Sequence, residues 1–210
     1  MDAAVELLAA TGDPRYAAAL AGSAEVIAAN LPEVGWLAAR SLALVRDEAY
    51  QQKVRAALKA YRAEVDRLTQ TTPYGVPYEP EVWGAGWDIQ HFGMQQYFLH
   101  AALPDLFPVD NALNALNFML GCHPGANPAS LVSGVGAQSL TVAYGFNRAD
   151  WTYIPGGIAA GTALIRPDFP ELLEWPFLWQ QTEYVLGEGT TDYLFLALAA
   201  DHLFGNRANE

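Results

Sequence analysis

Three acidic side chains lie close together near the C-terminus of the chain, just before an apolar segment. Glu183, Glu188 and Asp192 stand in the stretch EYVLGEGTTDYLFLALAADHL, which covers residues 183–203. A carboxyl group among apolar side chains has a raised pKa, and it can then donate a proton at neutral pH. If the segment is helical, Tyr184 and Asp192 lie one turn on either side of Glu188. The segment is therefore a candidate acid–base site.

Three segments rich in glycine and proline, residues 71–87, 121–136 and 143–157, are predicted loops, and aromatic side chains lie in the first and third of them and in or near the terminal segment. Loops of this length in a compact protein are usually functional. Sugars present C–H faces that stack on aromatic rings and hydroxyl groups that polar side chains bind. These segments therefore suggest a carbohydrate site, with rings that merely fill the spaces between helices as the alternative. The rings concerned are Trp83, Trp87, Tyr144, Trp151, Tyr153, Trp179 and Tyr184.

Composition and charge exclude several classes of protein. The 210 residues carry a net charge of -12, and residues 71–210 hold 3 basic against 14 acidic side chains, which argues against a nucleic-acid partner. The single cysteine, Cys122, excludes an intrachain disulfide and is expected to be a small buried side chain. The four histidines lack the spacing of metal ligands, so we expect neither a metal nor a cofactor. No segment resembles a membrane span or a signal peptide.

Local signals predict helices along most of the chain. Asp13 and Pro14 open a helix that is predicted to run to about Asn30, and Pro32 begins the next. Asp47 is predicted to cap a longer helix with one apolar stripe. Further helices are predicted over residues 88–103, 110–120 and 171–181, and from the terminal carboxylates to about Phe204. Because no paired strands are evident, the prediction is an all-α fold in a single domain, residues 1–210.

The motifs, taken in order, resemble glycoside hydrolase family 9. AAVELLAATGDPRYAAAL is similar to the family's AAAELYRATGDEKYL, and WGAGW stands where its WGSN loop is expected. NALNALNFMLGCHPGANPASLVSGVG resembles its LDYILGxNPxxxSFVxGxG segment, and IPGGIAAGTALIRPDFPEL its PGxLVGGPN loop. YVLGEGTTDYLFLALAA is similar to YxxNEVAIDYNAxLVxALA. The resemblance implies the fold of that family's (α/α)6 toroid-type barrel, as a partial barrel with long loops.

The resemblance also implies roles for individual residues. Glu188 matches the family's general acid, which protonates the leaving oxygen of a β-linked glycan, and Asp192 matches a neighbouring aspartate. Gly187 replaces the asparagine of the family motif, so an alternative alignment makes Glu183 the acid. Arg148 matches a substrate-binding arginine, whose two preceding histidines are replaced here by Phe146 and Asn147. The sugar subsites implied are formed by Arg148, Asn147, His123, Trp83, Trp87, Trp151 and Tyr184.

One expected element of the site is missing from the sequence. An inverting hydrolase needs a second carboxylate that activates water. The family holds it in an Asp-Ala-Gly-Asp motif of its N-terminal half, and that motif does not occur here. We therefore expect a fragment or truncated enzyme that is inactive alone. The alternative is a carbohydrate-binding or assembly module that forms a homo-oligomer or docks on an N-terminal half-domain. The resemblance implies a secreted or periplasmic protein that binds an oligosaccharide or polysaccharide.

Overall fold

The computed structural model describes residues 1–70, 75–77, 84–122, 130–136, 138–139, 143–144, 151–160, 184 and 188–205. For six of these residues only the backbone is described: Ala85, Ala143, Tyr144, Trp151, Thr152 and Glu188. The chain divides into two compact units. Unit 1 comprises Met1–Arg67 and Gln95–Val109, and unit 2 comprises Leu68–Met94 and Asp110–Glu210. The single domain expected over residues 1–210 stays a prediction.

Unit 1 is built from consecutive helices whose ends follow local signals. They are α1 (Asp2–Thr11), α2 (Pro14–Gly22), α3 (Ala24–Ala29), α4 (Leu31–Ser41) and α5 (Glu48–Thr69), together with the last part of α6 (Ala85–Ala102). Asp13 caps α2, because its Oδ1 accepts a hydrogen bond of 2.9 Å from the Arg15 amide. Asp47 does the same for α5 through the Tyr50 amide at 2.7 Å. Both predicted caps are confirmed.

One helix boundary in unit 1 differs from the prediction. The helix expected from Pro14 to about Asn30 is interrupted at Ser23, which separates α2 from α3. Gly22 and Ser23 are adjacent weak helix formers, and such pairs are common places for a helix to bend or stop. The interruption lets both short helices bury apolar side chains, Leu20 from α2 and Ile27 from α3.

The core of unit 1 is one apolar cluster to which every helix contributes. The apolar stripe predicted on α5 supplies Tyr50, Val54 and Leu58, all nearly inaccessible to solvent. The other members of the cluster are Val5, Leu8, Leu20, Ile27, Leu31, Leu37, Ala38, Ala39, Leu42, Val45, Leu99 and Phe107. The hydroxyl of Tyr50 is hydrogen-bonded to that of Ser41, so the buried phenol retains a polar partner.

Unit 2 contains the first part of α6, α7 (Asp110–Met119) and α8 (Glu188–Gly205), with a short sheet between them in sequence. The strands β1 (Ala143–Tyr144) and β2 (Trp151–Thr152) pair antiparallel. The three helices meet closely at Gly93, where an added Cβ would lie 2.5 Å from the Cβ of Ala115 and 2.9 Å from Cδ1 of Leu196.

The helices described in unit 2 were predicted, but their boundaries and the short strand pair differ from the prediction. α6 begins at Ala85, within the predicted loop of residues 71–87, and the strand pair lies in the predicted loop of residues 143–157. The helix predicted over residues 171–181 lies outside the described residues. Among the helices that the structure describes, none is both long and apolar enough to cross a membrane.

Candidate functional site

The acidic segment of the sequence forms the beginning of α8. Glu188 is the first residue of this helix, and Asp192 follows one turn later. The predicted helix is therefore confirmed from Glu188 onward. Tyr184 is not part of it, because its backbone forms an isolated antiparallel bridge with Ala159. The sequence expectation that Tyr184 lies one helical turn before Glu188 is wrong for this reason.

Asp192 is held by a histidine from another helix. Its side chain is almost buried, and its Oδ2 lies 2.8 Å from Nδ1 of His91 on α6. The contact is a hydrogen bond with neutral His91 and an ion pair when His91 is protonated. It fixes the carboxylate of Asp192 one turn after Glu188. The sequence carries no signal for this pairing, because the two partners are 101 residues apart and no local motif connects them.

Tyr184 connects two loops of unit 2. Its hydroxyl accepts a hydrogen bond of 3.0 Å from the Ile154 amide and lies 2.9 Å from Oγ of Ser133. The ring packs against Gly157, where an added Cβ would lie 2.6 Å from Cε1 of the ring. Only 4% of Tyr184 is exposed. The described contacts of Tyr184 are thus a buried cross-link between loops, and its predicted contact with a sugar stays a prediction.

Backbone hydrogen bonds reinforce the same cross-link. The Ser133 amide donates to the carbonyl of Gly157 at 2.9 Å, and the Gly156 amide donates to the carbonyl of Ser133 at 3.0 Å. The Ala159 amide donates to the carbonyl of Leu131 at 2.9 Å. Segments 130–136 and 153–160, which the sequence places in two separate loops, are therefore one connected structure next to Tyr184.

The other predicted site residues are placed only in part. Trp87 lies in the first turn of α6, half-buried, and its amide donates to the carbonyl of Ala160 at 3.2 Å. This bond brings Trp87 to the same loop segment as Tyr184. Trp151 lies in β2, opposite Tyr144. The remaining predicted site residues lie outside the described residues: Trp83, His123, Asn147, Arg148 and Glu183.

Two further expectations can be compared with the structure. Cys122, expected to be buried, is exposed, because the chain leaves α7 before reaching it. The part of the chain that the structure describes contains no group of three or more His, Cys, Asp and Glu placed to hold a metal ion. Tyr193, which follows Asp192, is partly buried, and burial raises the pKa of its phenol.

The class of fold is all-α, as predicted, and it is similar to part of an (α/α)6 helical barrel of glycoside hydrolase family 9. The chain matches the crystal structure of GH family 9 endoglucanase J30 with a TM-score of 0.64 and 21% identity, over 94% of this chain and 41% of that one. It matches a Zn-binding triple mutant of the same endoglucanase with a TM-score of 0.63 and 20% identity over the same shares.

A third solved structure, the GH9 protein of Bacteroides ovatus, matches with a TM-score of 0.54 and 18% identity, over 79% of this chain and 32% of that one. No family model matches the sequence, and no curated protein sequence does. The chain thus spans about two fifths of the length of the endoglucanase chains it matches, 41% in both cases. The resemblance seen in the sequence motifs is confirmed for the fold.

Proposed function

We propose that this chain is the acid-bearing part of a glycoside hydrolase similar to family 9, acting on a β-linked glycan. The observation that carries the proposal is the position of Glu188 as the first residue of α8, with Asp192 fixed by His91 one turn later. Glu188 would protonate the leaving oxygen of the glycosidic bond. Because fold similarity alone does not define an activity, the proposal depends on this local arrangement.

The position of Glu188 favours a proton donor on physical grounds. The amide groups at the start of a helix carry partial positive charge, which stabilises a carboxylate after it has given up its proton. Asp192 follows one helical turn later and places a second carboxylate on the same helix. His91 reduces the effective charge of Asp192 whenever it is protonated. The proposed role of Glu188 therefore depends on its place at the start of the helix.

In the proposed reaction an inverting mechanism needs a base that this chain does not supply. In the family that the motifs resemble, the water-activating aspartate belongs to an Asp-Ala-Gly-Asp motif, and that motif does not occur in these 210 residues. We therefore expect the isolated chain to bind oligosaccharides through Trp87, Trp151, Arg148, Asn147 and His123 without cleaving them. Trp87 and the strand residue Trp151 belong to the same unit as Glu188, which supports a shared site.

The decisive experiment adds a water-activating base from another protein. A chimera joins the portion of endoglucanase J30 that this chain does not match to the present 210 residues. We expect it to hydrolyse an aryl β-glucoside or a soluble β-glucan, and Glu188→Gln to abolish this activity while Glu183→Gln leaves most of it. Loss of hydrolysis in Glu183→Gln but not in Glu188→Gln would show that Glu183 is the general acid.

A second assay does not depend on the folding of the chimera, because it measures sugar binding by the purified chain itself. The purified chain is titrated with a cello-oligosaccharide and observed by tryptophan fluorescence, with Trp36 of unit 1 changed to Phe so that unit 2 dominates the signal. Saturable binding that is weakened by Trp87→Ala supports a sugar site. Turnover of the aryl glycoside by the isolated chain, abolished by Glu188→Gln, would contradict the expected inactivity.

A second candidate function is a non-catalytic binding or assembly module. It is favoured by the outer face of α8, where Leu194 is 58% exposed and Leu198, one turn later, is 62% exposed. Two adjacent exposed leucines on one helix are typical of a surface that packs on a partner. Light scattering after size exclusion tests self-association, and a monomer at all concentrations would contradict it. A dimer that Leu194→Lys with Leu198→Lys dissociates would support it.

A further inference from the structure

Unit 1 contains a pocket of about 440 Å³ between α5 and the turn that follows α6. It is lined by two segments of chain: Arg55 and Lys59 from α5, and residues 102–106 from the end of α6 and the following turn. Its volume lies within the range of about 300–1,000 Å³ that is usual for sites of small molecules. The described members of the proposed glycosidase site belong to unit 2, whereas every residue that lines this pocket belongs to unit 1.

The basic residues of α5 differ in whether they have acidic partners. Arg55 and Lys59 form no ion pair with any described residue, and they lie one turn apart on the face of α5 that lines the pocket. The other three basic residues of the helix each pair with a carboxylate: Lys53 with Glu25, Arg62 with Asp66, and Arg67 with Glu64. The two unpaired positive charges of α5 are therefore the two that line the pocket.

The second segment contributes groups of a different kind. Asp105 lines the pocket without forming an ion pair with Arg55 or Lys59 among the described residues. Leu103 and Leu106 are half-buried and add an apolar surface. The carbonyl of Leu103 already accepts hydrogen bonds from the Leu106 and Phe107 amides, so the two leucines are expected to contact a ligand through their side chains. The pocket thus combines two cations, one carboxylate and apolar side chains.

These groups select among small ligands. A phosphate ion is attracted by Arg55 and Lys59, but it offers no separate hydroxyl group for Asp105 and no C–H surface for the leucines. A neutral sugar can donate hydrogen bonds to Asp105 but leaves both cations without a partner. A carboxylate with hydroxyl groups on a carbon skeleton matches all three features, because hydroxyl groups donate and carboxylates accept.

We propose that this pocket binds a small hydroxylated carboxylate of the sugar-acid class. The carboxylate accepts hydrogen bonds from Arg55 and Lys59, a hydroxyl group donates to Asp105, and the C–H surface packs on Leu103 and Leu106. The proposal does not depend on the glycosidase activity, since it concerns residues of unit 1 alone. Free sugar acids and terminal sugar-acid units of an oligosaccharide share this chemistry.

The test measures binding of sodium glucuronate to the 210-residue chain by NMR or calorimetry at low salt. We expect saturable binding with a dissociation constant of about 1–10 mM, since exposed charge pairs contribute little each. Glucose and phosphate are expected to bind at least about tenfold more weakly. A disaccharide with a terminal glucuronate shows which of the two sources the pocket prefers. Tighter binding of the disaccharide than of free glucuronate indicates an oligosaccharide ligand, and equal or weaker binding indicates the free acid.

Variants connect the binding to the pocket. Arg55→Gln with Lys59→Gln is expected to weaken glucuronate binding at least about tenfold, while the matched control Lys53→Gln, on the same helix but paired with Glu25, changes it less than about twofold. Asp105→Asn is expected to lower the preference for glucuronate over phosphate, because both anions lose the repulsion but only glucuronate loses the hydroxyl contact to a carboxylate. Absence of saturable binding, equal binding of phosphate, or binding that the double variant leaves unchanged would each overturn the proposal. Thermal unfolding confirms that these exposed substitutions leave the chain folded.

Discussion

His91 and Asp192 are joined by a hydrogen bond of 2.8 Å although 101 residues separate them in the sequence. The bond connects α6 to the first turns of α8 within unit 2. It thereby determines where the carboxylate of Asp192 lies relative to the helix start at Glu188. A long-range contact between two titratable side chains next to a candidate proton donor is the feature on which the proposed acid site most depends.

The pair can be tested with a double-mutant cycle of His91→Gln and Asp192→Asn. We expect a coupling free energy of about 0.5–1.5 kcal/mol. This is less than is usual for a hydrogen bond to a charged group, because 42% of the His91 side chain is exposed and water competes for the bond. Urea unfolding of the four proteins measures it. His202, exposed near the end of α8, is the control, and His202→Gln should show no coupling to Asp192. A coupling below about 0.3 kcal/mol would contradict the pairing.

Tyr184→Phe removes one hydroxyl and leaves the Ile154 amide without its described acceptor. We expect a loss of about 1–2 kcal/mol in the free energy of unfolding, the lower part of the range for an unsatisfied donor, because this hydrogen bond is only partly buried. Ser133→Ala removes only the other partner of the hydroxyl and should cost less, about 0.5–1.5 kcal/mol. Urea unfolding gives both values, and hydrogen exchange at the Ile154 amide should accelerate in Tyr184→Phe. An unchanged exchange rate would argue against the cross-link.

Gly93→Ala tests the close packing of α6, α7 and α8. An added Cβ would lie 2.5 Å from that of Ala115, so we expect a loss of about 1–3 kcal/mol from overpacking. Gly22→Ala is the matched control, because Gly22 is helical and has no atom within 4 Å of the added Cβ. There we expect a gain of up to about 1 kcal/mol from helix propensity. Equal effects of the two substitutions in urea unfolding would refute the packing argument.

Tyr61 gives the stability of unit 1 a dependence on alkaline pH. Burial, together with the negative charge of Glu33, raises the pKa of the Tyr61 phenol to about 12. The contribution of Tyr61 is fully present below about pH 10, where the unfolded phenol begins to ionise, and it is lost as pH rises toward 12.

The variant Tyr61→Phe separates this contribution from other alkaline effects. Between pH 10 and 12 we expect the native protein to lose about 1–2 kcal/mol more stability than the variant, after a discount for the partial exposure of Tyr61. Urea unfolding at pH 8, 10 and 11.5 measures the difference. Parallel losses in the two proteins would show that Tyr61 ionises as readily in the folded state as in the unfolded one.

Local chemistry in the sequence was sufficient for most helix starts. Asp13 and Asp47 cap the helices that their positions predicted, and the apolar stripe of α5 is buried as its spacing required. Caps and helical periodicity involve residues a few positions apart, so they depend little on the remainder of the fold. The break at Ser23 was missed because it depends on how α2 and α3 both reach the core.

Only part of the candidate site could be predicted from the sequence. Local features were predictable, whereas contacts between residues far apart in sequence were not. The sequence by itself predicted Glu188 and Asp192 as candidates, which stays a prediction, and their place at the start of a helix, which is confirmed. The tertiary structure decided that His91 holds Asp192, that Tyr184 belongs to a loop cross-link with Ser133 and Ile154, and that Cys122 is exposed. Contacts between residues far apart in sequence depend on how helices and loops pack, and residue type and spacing do not record that packing.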